Sequence, residues 1–123
     1  MKRLFTIVMA AAALSAGFAW AHGDEKARHG GLVQIAGETK FELVTLPEGA
    51  EVYLDDHGET IPTGKLSGKL TVLSGSAKSE AKLEPAAGDK LVAKGVKLVK
   101  GDKVIALVTL ADKSTASARF VVK

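Results

Sequence analysis

The fold is decided by residues 69–83, Lys69-Leu70-Thr71-Val72-Leu73-Ser74-Gly75-Ser76-Ala77-Lys78-Ser79-Glu80-Ala81-Lys82-Leu83. Two short segments in it alternate between apolar and polar residues, and the Ser-Gly-Ser between them is typical of a turn. A period of two puts successive side chains on opposite faces of a strand. The stretch therefore predicts two strands, Lys69–Leu73 and Ser79–Leu83, joined by a turn.

Segments of the same kind, short and rich in Val, Leu and Ile, occur on both sides: Leu32–Ala36, Lys40–Leu46, Glu51–Asp55, Lys90–Ala93, Lys103–Leu110 and Ala116–Val122. Turn signals such as Pro47-Glu48-Gly49 separate them, and no 3.6-residue apolar period occurs after residue 21. Seven or eight short strands in about 100 residues predict an all-β fold. We expect one domain, residues 32–123, with the architecture of an antiparallel immunoglobulin-like β-sandwich.

The first 21 residues have the features of a secretory signal peptide. Lys2 and Arg3 form a charged start, an apolar stretch follows, and Ala19-Trp20-Ala21 is a small-residue cleavage site. The apolar stretch is shorter than the ~20 residues of a spanning helix. We expect export to the periplasm, no membrane insertion after cleavage, and a flexible arm at the polar, glycine-containing segment 22–31.

Charge is divided unevenly along the exported chain. Residues 22–59 carry three basic and nine acidic side chains, a net charge of −6, whereas residues 60–123 carry twelve basic and five acidic ones, a net charge of +7. All three histidines lie in the acidic part. A cation would be attracted there, while the lysine-rich part would favour solubility or an acidic partner.

Several functions are disfavoured. The chain has no cysteine and no G-x-S-x-G motif, and Gly64–Lys69 has the wrong glycine spacing for a phosphate loop. After the predicted cleavage the chain keeps three aromatic residues, Phe41, Tyr53 and Phe120. They lie in predicted strands, so a stacking surface for nucleic acid is not expected. A metal-dependent hydrolase would need a general base apart from the ligands, and none stands out. We do not expect an enzyme.

Imidazole and carboxylate groups remain as candidate metal ligands, and they suit Cu(II), Zn(II), Ni(II) or Co(II). His22 would become the first residue, where its α-amine and ring could chelate one ion together; the alternative is that the peptidase merely tolerates it. His29 precedes Gly30-Gly31, which leave space for a ligand; the alternative is a solvated side chain in the arm.

His57 lies in Asp55-Asp56-His57-Gly58-Glu59. Asp55 and Gly58 fit a type I turn without any function, but the turn does not explain Asp56 and His57 between them. The predicted site consists of His29, His57, Asp56 and His22, and it requires the arm to fold onto the His57 loop.

These motifs resemble a known family. The chain is similar to small periplasmic His-Gly-Gly proteins of proteobacterial heavy-metal efflux loci. The similarity lies in four segments: His29-Gly30-Gly31, Phe41-Glu42-Leu43-Val44, residues 52–58 and Ala118-Arg119-Phe120. That module also resembles the N-terminal part of some adaptors of resistance-nodulation-division (RND) metal pumps. The resemblance covers roughly residues 28–122. It implies a role in metal tolerance, with metal contact at His29, Asp56 and His57 and an efflux adaptor as partner.

Two functions follow from the sequence. The first is a periplasmic protein that binds a divalent metal ion, Cu(II) or Zn(II) foremost, and supports heavy-metal efflux. The second is an interaction module that binds no metal and uses its oppositely charged parts to dock on an adaptor or on another copy of itself.

Overall fold

The computed structural model describes residues 26–123; the predicted signal peptide, residues 1–21, and His22 lie outside the described residues. The described chain forms strands and turns, and it contains no helix that is long and apolar enough to cross a membrane. The strands are β1 (Leu32–Ala36), β2 (Thr39–Leu46), β3 (Gly49–Asp56), β4 (Glu59–Thr60), β5 (Ser67–Ser74), β6 (Ala77–Ala86), β7 (Lys90–Lys94), β8 (Lys103–Thr109) and β9 (Thr115–Val121).

Every strand pair in the described residues is antiparallel, and the order is β1-β2-β3-β7-β6-β5-β8-β9, with β4 paired to β3. Strands β5, β6 and β7 follow one another as hairpins, and β8 returns to lie beside β5, which is a Greek-key arrangement. The end strands β1 and β9 lie next to each other. The sheet is therefore nearly closed and barrel-like.

The prediction of an antiparallel all-β fold is confirmed, and each of the eight predicted strands is present. The short β4 is an addition that the sequence did not indicate. The sheet almost closes on itself and does not divide into two separate layers. The finer prediction of a two-layer sandwich stays a prediction.

The core lies inside this curved sheet and follows from the alternation in the sequence. On β2 and β3 the residues that point inward are Phe41, Leu43, Val52 and Leu54, each at most 1% exposed. The strands on the opposite side contribute Leu70, Val72, Val104, Ala106, Val108, Ala118 and Phe120. The intervening residues form the outer face, which carries most of the charge.

Leu70→Ala should lower the free energy of unfolding by about 2–5 kcal/mol, because Leu70 is fully buried and its removal leaves a cavity. The matched control is Leu107→Ala on the neighbouring strand β8, where the side chain is 38% exposed; its cost should stay below about 1 kcal/mol. Chemical denaturation measures both. Equal losses of unfolding free energy in the two variants would contradict the assignment of Leu70 to the core and Leu107 to the outer face.

Candidate metal centre

Residues 26–31, which we call the N-terminal strap, are bound to the outer face of β2 by the carboxylate of Glu42. The backbone N–H groups of Arg28, His29 and Gly31 donate hydrogen bonds to its two oxygens, at 3.1, 2.7 and 2.8 Å. Nδ1 of the His29 ring lies 2.9 Å from Oε1. One carboxylate thus holds four donor groups of the strap.

Glu42 is a buried charge on an otherwise ordinary strand, with 2% of the residue exposed. Burial opposes its ionisation, but the hydrogen bonds from the His29 ring and from the backbone of Gly31, His29 and Arg28 outweigh burial and lower the pKa of Glu42 below its usual value of 4.5. Such a carboxylate stays ionised at neutral pH. The four donors are the reason it can be buried there.

The His29 ring is fixed on a second side by Tyr53 of β3. The two rings are stacked with centroids 3.6 Å apart and planes 8° apart. Because ionised Glu42 can only accept, Nδ1 of His29 must carry the hydrogen, so the lone pair of a neutral ring lies on Nε2. A ring held in this way resembles a metal-ligating histidine backed by a carboxylate, although it supplies only one ligand atom.

The two glycines after His29 have a structural explanation. Gly30 has a φ of 76°, in the left-handed region that favours glycine. A Cβ at Gly31 would clash with the backbone carbonyl of Leu43. The His-Gly-Gly sequence therefore allows the strap to turn and approach β2 closely.

Arg28 connects the strap to the hairpin that contains His57. Its Nη2 donates to the carbonyl of Gly58 at 3.2 Å and lies 3.4 Å from Oδ2 of Asp55. Nζ of Lys40 is 3.6 Å from the same oxygen and donates to the carbonyl of Lys26 at 2.9 Å. The part of the predicted arm that the structure describes thus contacts the His57 hairpin through Arg28.

The His57 turn differs from the predicted type I turn. Asp55 and Asp56 belong to β3, and Asp56 pairs with Glu59 of β4, so His57 and Gly58 are the two central residues of a tight hairpin. Their φ values are 52° and 90°. Positive φ at both positions is what a type I′ hairpin turn requires. The prediction of a type I turn starting at Asp55 is wrong.

Within residues 26–123, one group of carboxylate and imidazole side chains could hold a metal ion: Glu38, Asp56 and His57, whose ligand atoms all lie within 4.8 Å of one another. Nε2 of His57 is 3.4 Å from Oε1 of Glu38 and 3.6 Å from Oδ1 of Asp56. Around a tetrahedral ion with ligands at ~2.1 Å, neighbouring ligand atoms are ~3.4 Å apart. The side chains are exposed, so small rotations could bring them onto one ion.

The turns that carry Glu38 and His57 enclose a cleft of about 280 Å³, which is lined by Arg28, Ile35, Gly37, Glu38, Lys40, Asp55, His57 and Gly58. Asp55 is 6% exposed, and its Oδ1 is buried without a hydrogen-bond partner in the described part of the chain. An unpaired buried carboxylate oxygen costs about 1–3 kcal/mol or more. The cleft thus contains a carboxylate whose bonding capacity is not fully used.

The structure brings together two of the four predicted site residues. Asp56 and His57 are adjacent to each other and to Glu38, which the sequence did not indicate as a ligand. His29 lies outside that group and is bound by Glu42 and Tyr53, and His22 lies outside the described residues. Metal contact at His29 or His22 stays a prediction.

Comparison with known proteins gives no matching family model, no matching curated protein and no matching solved structure. The resemblance to the His-Gly-Gly proteins of metal-efflux loci stays a prediction.

Glu42→Gln should lower the free energy of unfolding by about 2–3 kcal/mol at neutral pH, because an amide cannot accept from all four donors. A group whose pKa is lowered by folding stabilises above its unfolded pKa, and this contribution is lost as pH falls through the folded pKa. The difference between the parent and Glu42→Gln should thus narrow below pH 4.5. Urea denaturation over a pH series measures it.

The control for this experiment is Glu84→Gln, an exposed carboxylate on β6. It should change stability by less than about 0.5 kcal/mol at any pH. The account of Glu42 fails if Glu42→Gln is as stable as this control at neutral pH.

Proposed function

We propose that the protein binds a divalent transition-metal ion at the cleft formed by the β1–β2 turn and the β3–β4 hairpin. Glu38 and His57 of the cleft wall and the adjacent Asp56 supply the ligands. Asp55 lies at the side of the cleft, where Arg28 and Lys40 pair with its Oδ2. The observation that carries the proposal is the position of Nε2 of His57, 3.4 Å from Oε1 of Glu38 and 3.6 Å from Oδ1 of Asp56, with all three ligand atoms within 4.8 Å of one another.

The ligand types favour Zn(II) or Cu(II) over harder and softer ions. One imidazole nitrogen with two carboxylate oxygens is a borderline set, without sulfur for Cu(I) and with too few oxygens for Ca(II). Three protein ligands leave an open position on the ion, unlike the closed four-ligand shell of structural zinc sites. This supports reversible binding rather than a permanent structural ion.

The cellular role that fits such a site is metal tolerance in the periplasm, where the protein would hold ions for an RND-type efflux system. The support is the resemblance of the His-Gly-Gly segment and the predicted signal peptide.

On the fold, we propose an immunoglobulin-like relationship. The Greek-key order of the strands supports it, and so does the change of partner along β6, where residues 77–83 pair with β5 and residues 84–86 pair with β7.

Calorimetric titration of the chain 22–123 with Zn(II) and Cu(II) tests the site. The parent should bind one ion, and His57→Asn and Glu38→Gln should each weaken binding at least about tenfold, or about 1.4 kcal/mol. Asparagine is chosen at position 57 because it tolerates the positive φ there. Loss of binding then reflects the lost imidazole rather than a strained turn.

The matched control is Asp89→Asn, because Asp89 is also an exposed turn residue with positive φ, in the β6–β7 turn. It should bind metal like the parent. Equal affinity of the parent, His57→Asn and Asp89→Asn would show that the cleft is not the site.

A further inference from the structure

The outer face of β6, β5, β8 and β9 is strongly basic. The strand register arranges its outward residues in three rows across the four strands: Lys78, Leu73, Lys103 and Val121; Glu80, Thr71, Ile105 and Arg119; Lys82, Lys69, Leu107 and Ser117. Five cations and one carboxylate share this surface, which we call the basic face. Its net charge is four units positive.

Within the described residues, only Glu80 neutralises part of this charge. Oε2 of Glu80 lies 3.5 Å from Nζ of Lys69 and 3.7 Å from Nζ of Lys78. Lys82, Lys103 and Arg119 form no ion pair with any residue between Lys26 and Lys123. An anionic partner would meet three available cations, two of them on β8 and β9.

Apolar side chains lie between the charges. Val121 is 56% exposed and Leu107 is 38% exposed. Leu73 is half-buried between Lys78 and Lys103, and Ile105 is half-buried beside Arg119. Solubility alone explains the lysines but not these neighbours. A surface that alternates cations with aliphatic groups fits a partner that alternates carboxylates with aliphatic groups.

A groove of about 670 Å³ runs from the basic face to β1, and its walls include Val33, Leu73, Lys103, Ile105, Arg119 and Val121. Among residues 26–123, strand β9 pairs only with β8, and β1 pairs only with β2. Both strands bordering the groove therefore have an edge that is not used in the ladder. Because β1 and β9 also lie next to each other, an extended segment would lie over the seam between them rather than enter it as a further strand, which needs about 4.8 Å on each side.

We propose that this groove binds an extended acidic segment of a partner protein, which lies along β9. Its carboxylates pair with Lys103 and Arg119, and its aliphatic side chains contact Leu73, Ile105 and Val121. A nucleic acid fits poorly, because no aromatic ring lies on the basic face. A membrane surface fits poorly for a related reason, because the face lacks a continuous apolar patch to insert.

The docking surface is separate from the metal cleft. None of the residues that border the groove is Glu38, Asp56 or His57. Binding of the acidic segment should therefore occur without metal and in the presence of chelator. Failure of one proposal leaves the other standing.

The test is an NMR titration of the ¹⁵N-labelled chain 22–123 with a short synthetic peptide of alternating glutamate and valine. Amide shifts should move on β9, on β1 and at Lys103, and the affinity should fall as salt is raised. The double variant Lys103→Glu/Arg119→Glu should bind at least about tenfold more weakly. If that variant is misfolded in its spectrum, Lys103→Gln/Arg119→Gln takes its place.

The matched control is Lys97→Glu/Lys100→Glu, which makes the same charge change in the exposed β7–β8 connection. It should keep most of the affinity. Equal weakening by the control, shifts confined to other surfaces, or binding of phosphatidylglycerol vesicles in place of the peptide would overturn the proposal. So would a dimer in light scattering that the groove variants abolish, because the occupant would then be a second copy of the chain.

Discussion

The buried carboxylate of Glu42 is the constraint on which the arrangement around the candidate site depends. A charge with 2% exposure is tolerated in a protein only when hydrogen bonds replace the lost water. All four donors come from residues 28–31, so the strap must lie across β2 for the charge to be satisfied. This position brings Arg28 to Asp55 and Gly58, which braces the hairpin that carries His57.

The two described histidines consequently have different environments. His29 is fixed between Glu42 and Tyr53 and belongs to the scaffold of the strap. His57 is exposed at a hairpin tip beside two carboxylates, with the positive φ that its type I′ turn requires. The proposed metal binding therefore depends on His57. The strap holds the His57 hairpin in place through the contacts of Arg28 with Asp55 and Gly58.

The strands could be predicted because the alternation of Phe41, Leu43, Val52 and Leu54 with polar residues is a local pattern. The site could be predicted only in part. Glu42 lies at an outward position of that alternation, and its burial depends on contacts 11–14 residues away in the chain, which no local pattern shows. The same holds for Glu38, because it meets Asp56 and His57 only through the register of β2 and β3.

Histidine-selective ¹⁵N NMR during a Zn(II) titration tests the division of roles between the two histidines most directly. The account predicts that the ring nitrogens of His57 shift as one equivalent of zinc binds, while His29 keeps its hydrogen on Nδ1 and its Nε2 signal stays unchanged. Zinc-induced shifts at Nε2 of His29 with none at His57 would contradict it, and would assign the metal to the strap instead of the cleft.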